Sequence, residues 1–271
     1  MIRNVFQSLF VLILSACVPA IAIGATCGNT AAGFGQWLNE FKREAPGYGI
    51  RPATLNKALS GVTYHRKVIQ LDRNQKSFRL SFDEFYARRV NNAMIRKAKR
   101  LGQQHARLFS QIERKYGVPA PVILAIWGLE TNFGGYIGNM SVMRSLATLA
   151  YDCRRTQFFT NELVSALIIV QRGDMQPSEM RGAWAGEIGQ TQFLASSYVQ
   201  YAVDFDRNGR RDLIRSVPDV LASTANYLRQ KGWRPGQPWG PGTANYEVIR
   251  RWNKASVYVQ TISVMADKIA Y

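Results

Sequence analysis

The chain has 271 residues, and its 35 Lys and Arg against 18 Asp and Glu leave a formal net charge of +17. That balance calls for an anionic partner. The basic residues are spread along the chain without a helix-turn-helix or zinc-finger pattern, which argues against nucleic acid and leaves an acidic polymer or an acidic membrane surface. His65 and His105 are the only histidines and neither lies near a cysteine, so a metal site built from Cys and His is excluded as well.

Met1 to Asn4 and the apolar run from Val5 to Ala22 read as a secretory signal, and Pro19, Gly24 and Ala25 favour cleavage near Ala25 over a retained membrane helix. A signal over residues 1–25 means export. Leu14-Ser15-Ala16-Cys17 offers a second route, a bacterial lipoprotein box that would leave Cys17 lipidated. It ranks second because the apolar residues after Cys17 make a poor tether. In an oxidising compartment Cys27 and Cys153 are expected to pair, tying the mature N-terminus to the body. The alternative is two free thiols, since a large domain needs no staple. Just under 250 residues then remain without repeats or low-complexity tracts, enough for one large domain or two smaller ones.

Residues 26–100 read as an N-terminal helical region. Trp37, Leu38 and Phe41 give a helix from Phe34 to Ala45, and Pro52 to Leu59 gives a short one. Arg66 to Gln75 is polar and reads as a connection. Ser81, with Glu84 three residues on, caps a long helix through Phe85, Val90, Met94 and Ala98 towards Arg100. Gln103 to Tyr116 follows, then Gly117-Val118-Pro119 and a helix from Pro119 or so. Asn161 to Arg172 is helical, Ser216 caps a helix through Leu228, and two further helical patterns surround Ile249 and run from Val257 to Ile269.

The helix after Pro119 carries the first candidate for chemistry. In Ala125-Ile126-Trp127-Gly128-Leu129-Glu130-Thr131-Asn132-Phe133-Gly134-Gly135 a lone carboxylate shares a face with apolar neighbours, within a turn of the helix end. Burial and the negative C-terminal end of a helix both disfavour a charged carboxylate, so the pKa of Glu130 is expected to rise. That prepares it as a general acid. The plainer reading is a glutamate at the edge of an apolar face with its head in water. Residues 183–198 form a second block, mixing glycines, amides, hydroxyls and aromatics. Such a block suits a sugar groove, where amides meet hydroxyls and aromatic rings cover sugar faces, or a tight loop packed on itself.

Four segments together resemble the lytic murein transglycosylase B family. They are 128–134, 186–193 (Gly186-Glu187-Ile188-Gly189-Gln190-Thr191-Gln192-Phe193), Ser196-Ser197-Tyr198 and Asn226-Tyr227-Leu228. The resemblance runs from about Leu71 to the C-terminus. It implies a mainly α protein with little β-structure, a lysozyme-like catalytic core over residues 101–271 and an additional helical domain. It further implies an exported, periplasmic, monomeric enzyme acting on peptidoglycan glycan strands, with no cofactor required. By the same resemblance Glu130 is the single catalytic acid/base, and Gln192, Phe193 and Tyr227 line the groove. Trp252-Asn253-Lys254-Ala255-Ser256-Val257-Tyr258 brings Asn253 and Tyr258 to that groove; the alternative for Tyr227 and Tyr258 is helix packing. Glu187 and Ala195 depart from the familiar pattern of a small apolar residue and a proline, and Ala183 lacks a hydroxyl. A second acid at Glu187 keeps a hydrolytic muramidase in play, beside a non-catalytic peptidoglycan-binding protein. The basic surface would also support peripheral membrane association.

Residues 204–215 resemble an EF-hand loop, with Asp204, Asp206, Asn208 and Asp212 at positions one, three, five and nine, the Arg210 carbonyl at seven and Gly209 at the turn. Position twelve is Arg215, not the bidentate glutamate. A structural calcium ion of weak affinity is one expectation, and a self-bonded turn joining two helices is the other.

Overall fold

The structure is a computed structural model that describes residues 25–74 and 80–270. The signal segment and Cys17 lie outside the described residues. Thirteen α-helices and one two-stranded antiparallel pair make up the described fold. The first helices are α1 (Phe34–Glu44), α2 (Pro52–Leu59), α3 (Arg66–Arg73), α4 (Phe82–Arg89), α5 (Asn92–Gln104) and α6 (Ala106–Tyr116). They are followed by α7 (Ala120–Thr131), α8 (Val142–Tyr151), α9 (Thr156–Arg172), α10 (Ala195–Tyr201), α11 (Val217–Gln230), α12 (Ala244–Trp252) and α13 (Ser256–Ala270). Strands β1 (Met140–Ser141) and β2 (Arg181–Gly182) pair Met140 with Gly182 and Ser141 with Arg181.

Helix α7 is the axle. It is apolar on every side, the pattern of a helix enclosed by others, and it packs against α13, α5, α11 and α6. Pro121 sits in its first turn, where a missing N–H costs nothing. Its close approach to α13 depends on Gly128, where a Cβ would fall 2.8 Å from the Phe133 ring and 2.9 Å from the Met265 methyl. The helix ends where Asn132 and Phe133 turn left-handed, at φ 51° and 61°.

A second layer is the α8–α9 hairpin, on which α10, α1, α2 and α3 pack. Helix α8 carries no sequence stripe because every residue in it except Arg144 is buried. The Cys27–Cys153 disulfide exists, with Cα atoms 5.1 Å apart, and staples the start of the described chain to the loop after α8. Beside it Gly28 N–H donates to the Tyr151 carbonyl at 3.0 Å, and the Tyr151 hydroxyl donates to the Thr30 carbonyl at 2.8 Å.

Two expectations need correction. The segment from Arg66 is helical, not a connection: its buried stripe is only Val68 and Asp72, one of them charged, so apolar periodicity could not reveal it. Asp72 is 1% exposed and is balanced by Arg73, Arg154 and Arg155, and Arg73 reaches on to Asp152 at 2.7 Å. Those guanidiniums hold the Asp72 carboxyl below its ordinary range against the opposing pull of burial. The helix from Ser81 is also two helices. Ser81 forms its capping box with Glu84, but Asn91 is extended and its side chain accepts from Met94 N–H at 2.9 Å, so α5 starts afresh. Among the described residues no helix is long and apolar enough to cross a membrane.

Candidate active site

Glu130 lies in the last turn of α7, and two side chains from the end of the chain converge on it. The Trp252 indole N–H donates to Glu130 Oε1 at 2.9 Å and the Tyr258 hydroxyl donates to the same oxygen at 2.5 Å. Trp252 closes α12 and Tyr258 sits in the first turn of α13, so the α12–α13 corner delivers both. Burial pushes the Glu130 carboxyl above its ordinary value, partly offset by the Tyr258 and Trp252 bonds and the Arg89 charge. Tyr258 is itself buried and its hydroxyl is held far above its usual range by burial and the Glu130 charge, so it remains a donor. The carbonyls at the end of α7 are capped by cations, Arg89 to Leu129 at 2.8 Å and Lys97 to Asn132 at 2.9 Å.

The block after β2 forms the facing wall. Gln190 is pinned inside it: its Oε1 accepts from the Trp127 indole at 2.9 Å, and its Nε2 donates to the Ile214 carbonyl at 2.8 Å. Thr131 adds a hydroxyl bond to the Gln190 carbonyl at 2.5 Å. These contacts lock the wall to α7. Ile188 pairs with Phe193 across the turn, and Gln192 at its tip is left-handed, φ 52°, with Nε2 donating to the Ile137 and Gly189 carbonyls. Gly182 lets β2 pass against this turn, since a Cβ there would lie 1.7 Å from the Glu187 carbonyl oxygen.

Glu130, Glu187, Gln192, Phe193, Tyr227, Trp252 and Asn253 line a cleft of ≈300 Å³. A second cleft of ≈750 Å³ shares Glu130 and Gln192 with it, so the carboxylate sits where two arms of a groove meet. Phe193, Tyr227 and Trp252 pack edge-on at 4.9 to 6.0 Å, and the Tyr227 hydroxyl is tied to the Arg251 carbonyl at 2.6 Å. Of the residues expected at the groove, Glu130, Gln192, Phe193, Tyr227 and Asn253 line it, while Tyr258 lies behind Glu130. Trp252 went unassigned although it lies within the closing motif; nothing local says that its indole turns towards Glu130.

Glu187 also lines the narrower cleft. Its Oε2 is buried without a hydrogen-bond partner. Burial is the main cause that raises its pKa, and the Glu162 charge adds to it. The Glu187 charge is also one of the smaller causes that raise the Glu130 pKa.

In the 204–215 loop the carboxylates do not all converge as the linear pattern suggests. Asp204 and Asp206 are joined by Asp219, from the first turn of α11, with ligand oxygens within 4.8 Å of one another. Asp212 turns its Oδ1 to the Ile214 and Arg215 amides, and the Asn208 side chain accepts from Arg210 N–H. Arg215 swings out to Glu179 at 2.7 Å. An all-oxygen trio of carboxylates is of the kind that suits a hard cation such as calcium, although the Asp219 oxygens already accept from the Phe205, Asp206 and Asp212 amides.

With this geometry in place, the family described as transglycosylase SLT domain matches residues 33–244. The chain belongs to that family. It is 39% identical over 122 residues to membrane-bound lytic murein transglycosylase B of Escherichia coli (strain K12), covering 45% of this chain and 34% of that protein. The match thus spans about a third of the relative's length. SltB3 from Pseudomonas aeruginosa, solved in complex with NAG-NAM-pentapeptide, aligns with a TM-score of 0.83 at 33% identity, over 88% of this chain and 79% of that one. SltB1 from the same organism aligns with a TM-score of 0.80 at 25% identity, over 86% and 98%. The family's lysozyme-like fold therefore accounts for the mainly helical architecture and its single short strand pair.

Proposed function

We propose that the protein is a lytic transglycosylase that cleaves the β-1,4 bond between N-acetylmuramic acid and N-acetylglucosamine in peptidoglycan without water. The observation that carries this reading is Glu130, a half-buried and strongly desolvated carboxylate that accepts from both Trp252 and Tyr258 at the junction of a groove walled by amides and aromatic rings. Desolvation raises the Glu130 pKa and so favours the protonated form that a general acid needs. Glu130 donates that proton to the bridging oxygen as the bond to C1 breaks, and the substrate's acetamido group stabilises the cationic centre. The carboxylate left behind is held by Tyr258 and Trp252. It then takes the proton from the muramoyl O6 hydroxyl as O6 bonds to C1, which yields a 1,6-anhydro end and returns Glu130 to its protonated state. Phe193 and Tyr227 give the groove an apolar wall, and Gln192 and Asn253 bring to it the amide atoms that the Ile137, Gly189 and Ala255 bonds leave over, Gln192 Oε1 and Asn253 Nδ2.

A hydrolytic muramidase would need Glu187 as an ionised base. Its burial and the Glu162 charge favour the neutral form, against backbone hydrogen bonds from Glu187 and Ala185 and the Arg155 charge, and the net rise speaks against that role. Mass spectrometry of digested sacculi should therefore give anhydromuramoyl products, and Glu187→Gln, an isostere of the neutral acid, should give the same products. Reducing ends from wild type that disappear in Glu187→Gln would instead establish the muramidase. A non-catalytic wall-binding protein would bind sacculi and release nothing.

The same reading includes export to the periplasm, which the disulfide supports because such bonds persist in oxidising compartments. Lipid anchoring through Cys17 and peripheral membrane contact remain secondary to a soluble monomer. Residues 26–100 act as a helical region laid on the catalytic core. Calcium held by Asp204, Asp206 and Asp219 would be structural, bracing the turn that carries Leu213 and Ile214 beneath Gln190. Calcium at a hundredfold excess over Kd is expected to raise Tm by about 5 °C or more over a chelated sample. Asp219→Asn should remove that increment, and a Tm indifferent to both would refute the site.

A further inference from the structure

Among the residues lining the two arms of the groove, Glu187 is the one carboxylate that the proposed reaction leaves without a task. Its backbone is held on both sides. Gly186 before it is left-handed, φ 86°, with a Cβ there falling 2.5 Å from the Leu146 side chain, and Ile188 after it bridges to both Gly182 and Phe193. Residue 187 therefore has a fixed place in the wall, and its side chain lines the narrower arm.

The carboxyl is poorly matched to the protein around it. Oε2 is buried and has no hydrogen-bond partner. Burial, with the Glu162 charge, favours the neutral form, while the backbone amides of Glu187 and Ala185 bond to the carboxyl as donors. An oxygen that faces amide donors serves as an acceptor, so the proton of the neutral form falls to Oε2. A buried donor without an acceptor is uncommon in folded proteins and calls for a reason other than packing. The sequence points the same way, because Glu187 stands where the transglycosylase pattern has a small apolar residue. The fold does not need a carboxyl here.

We infer that Glu187 is a specificity-determining residue of the narrower arm, donating through Oε2 to the acetamido carbonyl of the sugar seated there. The inference rests on the lytic transglycosylase reading, which puts N-acetylated sugars on both sides of Glu130. A carboxyl turns easily about its terminal torsion, so Oε2 reaches the cleft without a change of backbone. The acetamido carbonyl is the strongest neutral acceptor that such a sugar carries. Phe193, Tyr227 and Trp252 line the same cleft, and their apolar rings lower the local dielectric in which the bond forms. A small apolar side chain at this position would make no such bond. Because the bond holds bound substrate before and during cleavage alike, it acts on KM and not on kcat.

Calorimetric binding of chitotetraose to the intact protein tests this without requiring cleavage. Cellotetraose, with hydroxyls in place of the acetamido groups, is the control. Glu187→Ala should bind chitotetraose about tenfold more weakly than wild type, and Glu187→Gln, whose amide still donates, should stay within about threefold of it. Cellotetraose should not distinguish wild type from Glu187→Ala. With sacculi as substrate, Glu187→Ala should raise KM by a similar factor, with kcat little changed. Unchanged chitotetraose affinity in Glu187→Ala overturns the inference, and so does an equal loss on both probes, the mark of a structural role. A fall in kcat with KM unaltered overturns it too, since Glu187 would then act on the Glu130 proton and not on the sugar. Product analysis on sacculi tests the transglycosylase reading separately.

Discussion

Glu130→Gln is expected to lower the rate of glycan cleavage by on the order of 10³- to 10⁴-fold, because in the proposed mechanism one residue supplies both the acid and the base step. The amide oxygen can still accept from Trp252 and Tyr258, so the groove keeps its shape and loses only the transferable proton. Turnover of purified sacculi, followed by release of soluble muropeptides, measures the effect. Activity within tenfold of wild type would remove Glu130 from the mechanism. In wild type the acid step also fixes a pH dependence. Since burial raises the Glu130 pKa, the rate should stay high above the ordinary value of 4.5 and decline as pH passes the raised pKa.

The same shift has a cost in stability, and its sign follows from linkage. A carboxyl whose folded pKa is raised contributes most below its unfolded pKa, and the contribution is lost as pH rises through the folded pKa. Wild type should therefore lose stability relative to Glu130→Gln as pH climbs from the ordinary carboxyl value towards the raised folded pKa, and the difference in Tm should widen over that window and level off above it. Equal melting temperatures from pH 4 to 8 would contradict a raised Glu130 pKa. Retention of a buried, destabilising acid is what a trade of stability for activity predicts.

The second large effect is on folding. Cys27 and Cys153 are 126 residues apart in sequence, so their bond closes a long loop in the unfolded chain. By loop-closure entropy it stabilises the fold by about 4 to 5 kcal/mol. Cys27→Ser/Cys153→Ser should lower the unfolding free energy obtained from urea denaturation by that amount and move the midpoint down accordingly. Reduction of wild type with dithiothreitol should give the same curve as the double variant. A variant as stable as wild type would mean that the Gly28 and Tyr151 contacts hold the N-terminus unaided.

Much of the site's chemistry was already legible before the chain folds. An apolar run around a lone glutamate near a helix end points to an enclosed α7 and leaves Glu130 either desolvated with a raised pKa or reaching to water, because period and helix polarity are local properties. Caps are local in the same sense, so Ser81 with Glu84 marked the start of α4. Charged helices fail this test: α3 buries Asp72 through arginines from distant elements, and no window around Arg66 contains them.

What only the tertiary structure decided is convergence. Trp252 and Tyr258 reach Glu130 across 122 and 128 residues. The EF-hand-like spacing pointed to Asp212, whereas the packing of α11 brings Asp219 into the carboxylate trio. Basic residues that looked scattered along the chain meet in the wider arm of the groove because α3, α4, α8 and β2 end there. Local sequence determined which groups could do chemistry and in which protonation state, since burial and helix ends act over one or two turns. Which of those groups face each other across a cleft depended on how the helices pack around α7, and that is a property of the whole chain.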